Sequence, residues 1–224
     1  MQTPEELQNA FGFLYPAELA ELRRLALALP PNPVIVNIGA GVGTSAATFL
    51  AARQDCVLFT VDINPGVSPF GGLGNEAVAL KEMGLLKGDR FGYFPIAGDS
   101  KAVAKDWRLH WPIDLVFVDG DHTYEGAAGD ILGWFPHVKP GGFISIHDYG
   151  KAYHYLKLEG LPDTTLITDE ILQASKAYPG VDQAVVDILL TPRAGIPRVT
   201  ANYAERVQLI SHIDSLITFQ KLQT

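Results

Sequence analysis

Cysteine occurs once in the 224 residues, at Cys56, so no disulfide can close within the chain, and a reducing compartment, the cytoplasm, is the expected home. Basic charge is also scarce. Lys and Arg number 17 against 25 Asp and Glu, a net charge of −8, and they form no cluster. A general nucleic-acid binder normally shows a basic face, so that class of partner is not expected. Gly and Pro, 22 and 15 residues, fall well short of a low-complexity or collagen-like share. With 47% hydrophobic and 19% charged residues, the chain is no disordered segment and holds enough apolar material for one domain with a real core. Met1–Ala10 carries Glu5 and Glu6 but no Lys or Arg, which is not the pattern of a signal peptide. One stretch, Leu25 to Ala52, lacks charge altogether. By length it matches a membrane span. Pro30, Pro31 and Pro33, followed by Gly39, Gly41 and Gly43, argue against a lipid-facing helix, so no membrane partner is expected.

What is present is an alternation of apolar runs and helical patterns. Leu19, Leu22, Ala26 and Leu29 fall at helical spacing within 17–29, ended by the prolines at 30, 31 and 33. Short β-branched or aromatic runs follow at Val34–Ile38, Val57–Val61, Phe94–Ala97, Leu115–Val118 and Phe143–Ile146. They lack polar alternation, as strands buried on both faces of a parallel sheet do. Helices are expected between them at Ser45–Arg53, Asn75–Met83, Lys101–Asp106 and Glu125–Phe135, with another at Gln183–Leu190. This repetition predicts a doubly wound, Rossmann-like, mostly parallel α/β sheet in a single domain: an N-terminal helical extension over 1–33 and a core over 34–224. Arg206–Ile210 and Leu216–Leu222 read as an antiparallel pair at one sheet edge. Residues 63–74 and 149–180 read as long loops, candidates for substrate contact.

The chemistry gathers at strand ends. After the first strand, Gly39, Gly41 and Gly43 are spaced to let a ligand approach the backbone, and Thr44 stands where a dinucleotide fingerprint would place its last glycine. An adenosine-type cofactor without a pyrophosphate is therefore favoured over NAD. Asp62 ends the second run, placed to accept hydrogen bonds from ribose hydroxyls. Asp99 and Ser100 follow the third, either as an ordinary helix cap or as an edge that recognises adenine. The fourth run delivers Asp119, Asp121 and His122, and the fifth ends in His147 and Asp148. Neighbouring strand tips lie about 5 Å apart. Asp119 and Asp148 are then candidate ligands of a hard divalent cation, with His147 or water completing the shell. Strand alternation would send His147 and Asp148 to opposite faces, so a bend is needed for both to reach one ion. His122, beside the cofactor cleft, is the candidate base for a substrate hydroxyl. Asp121 reads equally well as a solvated loop residue, and Glu125 as a first-turn helix acid.

With these residues together, the chain resembles class I S-adenosylmethionine-dependent methyltransferases, more narrowly the family of sugar and macrolide O-methyltransferases and cephalosporin-hydroxylase-like proteins. The resemblance rests on Asn37–Ser45, Asp62, Gly98–Ser100, Val118–Gly126, Leu132–Tyr149 and the segment starting at Pro179. It implies that Gly39, Gly41 and Gly43 cradle the methionine moiety, Asp62 the ribose, and Asp99 with Ser100 the adenine, with Asp119 also at the cofactor. It implies Mg²⁺ or another divalent cation at Asp119, Asp148 and His147, His122 as base, and a small hydroxylated metabolite as acceptor. Asn37 departs from the family, which usually has an acidic residue there, and His147 stands where an acidic or amide ligand is common. An NAD-dependent oxidoreductase and a non-catalytic S-adenosylmethionine-binding protein are the competing readings, and a homo-oligomer is left open.

Overall fold

The structure, a computed structural model, describes residues 13–86, 92–107, 111–162, 165–191 and 201–223; the signal-peptide reading of the first ten residues falls outside them. The first described helix, α1 (Pro16–Ala28), starts where Pro16 presets the backbone and Glu18 accepts the Tyr15 N–H at 2.7 Å. Its far end is held by Arg53, whose guanidinium donates to the carbonyls of Ala26, Leu29 and Pro30. Strands and helices then alternate: β1 (Val34–Ile38), α2 (Thr44–Ala52), β2 (Val57–Asp62), α3 (Leu73–Glu82), β3 (Tyr93–Ala97), α4 (Ser100–Asp106), β4 (Ile113–Val118), α5 (Tyr124–Trp134) and β5 (Val138–Ile146). Three short helices follow, α6 (Lys151–Leu158), α7 (Asp169–Ser175) and α8 (Pro179–Val185), and the described chain ends in the hairpin β6 (Val207–Ile213) and β7 (Leu216–Lys221).

The seven strands form one sheet in the order β3-β2-β1-β4-β5-β7-β6, with the first five parallel and β7 and β6 antiparallel. This is the predicted doubly wound sheet with an antiparallel edge. Every residue of β1 and β4 is buried, so their apolar runs need no polar alternation. One core layer packs Trp134, Phe135 and Ile188 on one face of the sheet, and a second packs Leu22, Phe49 and Leu80 on the other. The uncharged run from Leu25 to Ala52 is the end of α1, the buried β1, the glycine loop and the largely buried α2. Among the described residues no helix is long and apolar enough to cross a membrane.

Three expectations change. The fifth strand begins at Val138, well before Phe143, and passes through Lys139-Pro140-Gly141-Gly142. The register with β4 shifts between Ile113 and Leu115, and Gly141 at φ +81° absorbs the irregularity. Residues 149–180 are not one loop, because α6 and α7 lie within them. The helix placed at Gln183–Leu190 instead starts at Pro179 as α8 and continues as a π turn over Val186–Leu190.

Candidate active site

Strand order reverses between β1 and β4, and in open α/β sheets the crevice at that switch point takes the ligand. The glycine loop stands there. Gly39, Gly41 and Gly43 have φ of +90°, +50° and +96°, a region open to glycine and strained for other residues. Gly39 is also needed for contact, since a Cβ there would lie 2.0 Å from the Asp119 carbonyl oxygen. At Gly41 a Cβ would meet nothing within 4 Å, so this backbone borders open cavity. Asp62 accepts the Ala40 N–H at 2.8 Å and the Asn64 N–H at 2.7 Å, which ties the loop to the tip of β2. The loop after β2 folds back onto the glycines, with Gly72 N–H donating to the Gly41 carbonyl at 2.9 Å.

Asn37 lies beneath the loop. Its amide donates to the Gly39 carbonyl at 3.1 Å and accepts from Ser45 Oγ at 3.0 Å. Glu76, fully buried on α3, reaches the same amide at 3.4 Å and accepts from the Tyr93 hydroxyl at 2.7 Å. Burial pushes the Glu76 carboxyl up to about 8, against the lowering effect of the Tyr93 hydrogen bond. At the adenine side Asp99 caps α4 by accepting the Lys101 and Ala102 N–H groups, and Ser100 Oγ donates to buried Asp130. The cap leaves the Asp99 side chain half-exposed on the cavity wall, so capping does not take it out of reach of a ligand.

The tips of β4 and β5 are in register, Val118 opposite Ile146, so Asp119 and Asp148 come together as expected. The required bend is present: Asp148 sits at φ +63°, a conformation rare outside glycine and found where surrounding structure enforces it. His122 Nε2 lies 3.0 Å from Asp148 Oδ2 and 3.6 Å from Asp119 Oδ1, and its ring stacks on Tyr178 at 4.1 Å. His147 is placed differently. Its Nδ1 is 3.1 Å from Asp119 Oδ1, while Nε2 is turned away to Glu18 at 3.1 Å. Burial alone would lower the pKa of His147, but the charge of Asp119 and its hydrogen bond outweigh this and raise it far above the usual value. Both ring nitrogens thus already face a carboxylate, and His147 stands outside the donor set that Asp119, His122 and Asp148 form.

Burial likewise opposes charge on His122. The neighbouring carboxylates of Asp119 and Asp148 prevail and carry its pKa up to about 9. Burial opposes ionisation of Asp119 and Asp148 as well, yet the two histidines hold both below the ordinary carboxylate range. Lys151, missed by the sequence reading, completes the group with Nζ at 2.8 Å from Asp148 Oδ1.

Gly39, Gly41, Asp62, Asp99, Ser100, Asp119, His122, His147 and Asp148 all line one cavity of about 680 Å³, within the range of small-molecule sites, whereas Gly43 packs against Glu76 and Ala79 of α3 and does not line it. Thr44 Oγ1 on its wall is buried and without a hydrogen-bond partner among the described residues, a free polar contact for a ligand. The open space over Gly41 and this unpaired hydroxyl fit a bound cofactor. Asp119, His122 and Asp148 each offer a ligand atom, all within 4.8 Å of one another, a donor set that fits a divalent cation. Glu18 and Glu76 also escaped the sequence reading, since one looks like a capping acid and the other like an ordinary first-turn acid.

Known structures share the fold. A Podospora anserina methyltransferase bound to S-adenosylhomocysteine matches at TM-score 0.63 and 18% identity, over 98% of this chain and 86% of that one. The O-methyltransferase TomG of Streptomyces achromogenes, in complex with S-adenosylmethionine, matches at TM-score 0.60 and 17% identity, over 98% and 88%. MycE of the mycinamycin biosynthetic pathway, solved with Mg, S-adenosylhomocysteine and mycinamycin VI, matches at TM-score 0.54 and 18% identity; the match covers 99% of this chain but only 55% of MycE. The sequence itself matches the methyltransferase domain family over residues 36–149. That match spans just over half of the chain and all the strand tips that border the cavity, so the protein belongs to this family and is a class I S-adenosylmethionine-dependent methyltransferase.

Proposed function

We propose that the chain methylates a hydroxyl of a small hydroxylated metabolite, a sugar, macrolide or phenol, with His122 as acceptor of the hydroxyl proton. The observation that supports this is the position of His122, held between Asp119 and Asp148 on the same cavity that the glycine loop borders. The O-methyltransferase activity in the name of TomG and the macrolide bound to MycE favour the same acceptor class.

S-adenosylmethionine supplies a methyl group already activated on a cationic sulfonium. What remains for the protein is alignment and proton removal. The glycine loop, Asp62, Asp99 and Ser100 fix the cofactor end of the cavity, and such alignment is worth roughly 7–11 kcal/mol of barrier. At neutral pH His122 is protonated in the free chain, because its pKa stands at about 9. Positive charge arriving in the cavity lowers that pKa and frees the Nε2 lone pair for the acceptor's proton. Asp119 and Asp148 would hold Mg²⁺ or another divalent cation, which lowers the pKa of a ligated hydroxyl. Hard cations prefer such carboxylates, which leaves the imidazole to act as base.

Replacing His122 by Ala should lower kcat by about 10²–10⁴-fold, measured against a panel of catechols and sugars, with S-adenosylmethionine affinity unchanged in calorimetry. Retention of kcat would remove His122 from the reaction. Full activity of the wild type in excess chelator would remove the metal.

A further inference from the structure

Lys151 is the first residue of α6, three positions beyond Asp148. Its side chain is only 15% exposed, lines the cavity, and packs its ammonium over the Tyr178 ring at 5.2 Å. The same ammonium donates to Asp148 Oδ1 at 2.8 Å, while Asp148 Oδ2 faces His122 Nε2 at 3.0 Å. Both oxygens of this carboxylate therefore already face a nitrogen donor. Around Asp119 and Asp148 stand the nitrogens of three basic side chains, those of His122, His147 and Lys151. His147 is fixed from behind by Glu18, and His122 is clamped against Tyr178. Lys151, on a flexible stem with Tyr178 at hand as a second resting place, is the one best able to move.

We propose that Lys151 is an internal competitor for the divalent cation: its ammonium holds the Asp148 carboxylate until it swings aside, and so sets the metal affinity of the site. This rests on the metal reading above. An ion on Asp148 and the ammonium of Lys151 share one carboxylate in a half-enclosed cavity, where like charges repel more strongly than in water. The ammonium therefore weakens metal binding when present and substitutes for part of the metal's charge when the metal is scarce. Lys151 is a positioning residue here, acting through Asp148.

The test is a titration with Mn²⁺, read by the loss of the free-ion signal in electron paramagnetic resonance, on the full chain without substrate. Lys151→Met and Lys151→Gln should each bind Mn²⁺ at least about tenfold more tightly than the wild type, as expected for removal of one nearby positive charge. Lys151→Arg, which keeps the charge, should stay close to the wild type. Thermal melts and S-adenosylmethionine titrations identify the folded variants, and either neutral variant suffices. Unchanged or weaker Mn²⁺ binding in a folded neutral variant overturns the inference and leaves the metal reading standing. Absence of Mn²⁺ binding in both wild type and variants overturns the metal reading and the inference with it.

Discussion

Glu76 shows how a single side chain couples the cofactor loop to pH. Its carboxyl is fully buried under the glycine loop with its pKa at about 8, against an ordinary value of 4.5. Between those two values the native state holds a proton that the unfolded chain gives up, so the contribution of Glu76 to stability is fully present below about 4.5 and is lost as pH rises toward 8. His122, with its pKa raised to about 9, adds a decline in the same direction above its ordinary value of 6.5. The difference between wild type and Glu76→Gln isolates the carboxyl. We expect the wild type to lose urea resistance more steeply than Glu76→Gln from pH 6 to 8; parallel curves would refute the assignment. At this scale the sequence revealed the residues at strand ends, because Asp62, Asp119, His122 and Asp148 follow apolar runs whose direction is readable. It concealed Glu18, Glu76 and Lys151, which enter the site from helices, and nothing in their local surroundings distinguishes them from solvated helix charges.

At the scale of elements, α1 is tied to the site through one carboxylate. Glu18 accepts from Tyr15 N–H, from Ser215 N–H at 2.8 Å and Oγ at 2.7 Å, and from His147 Nε2, all while itself fully buried. It thus joins the first helix, the turn between β6 and β7, and the end of β5. Glu18→Ala would leave His147 as a buried charge with one partner removed, a loss expected to cost about 3 kcal/mol or more. Urea denaturation should show it, and a change below about 1 kcal/mol would mean that solvent replaces the carboxylate. The helices α1, α2 and α5 were legible because each buries an apolar stripe. The short α6 was not, since only Ala152 and Leu156 are buried along it and Tyr153 is exposed. Two inward positions give too little periodicity to recognise. β5 was read too short for a related reason: Pro140, Gly141 and Gly142 signal a turn locally, and pairing with β4 overrides that signal.

For the whole molecule, the parallel order β3-β2-β1-β4-β5 collects the candidate residues, Gly43 apart, beyond the carboxyl ends of the strands and over one cavity. The order of the strands in the sheet was the least readable feature, since pairing is decided by contacts distant in sequence. A ligand bound only by the folded state stabilises it by about 2.7 kcal/mol at 100 times its Kd. For a domain of this size each kcal/mol raises Tm by about 2–4 °C. S-adenosylhomocysteine at that excess should therefore raise Tm by about 5–10 °C in a thermal melt, and NADH should not. A shift with NADH alone would favour the oxidoreductase reading. The hairpin of β6 and β7 adds a consequence in time. Ser215 in its turn holds Glu18 and accepts the Tyr149 N–H at 3.0 Å through its carbonyl, and β7 pairs along β5 up to Ile146, just before His147 and Asp148. During synthesis the residues that bend the chain at Asp148 leave the ribosome well before residues 207–221 that brace them. A nascent chain can lay down its parallel strands and its glycine loop early, yet the two aspartates acquire their final setting only once the hairpin emerges, so catalytic competence is among the last properties this protein gains.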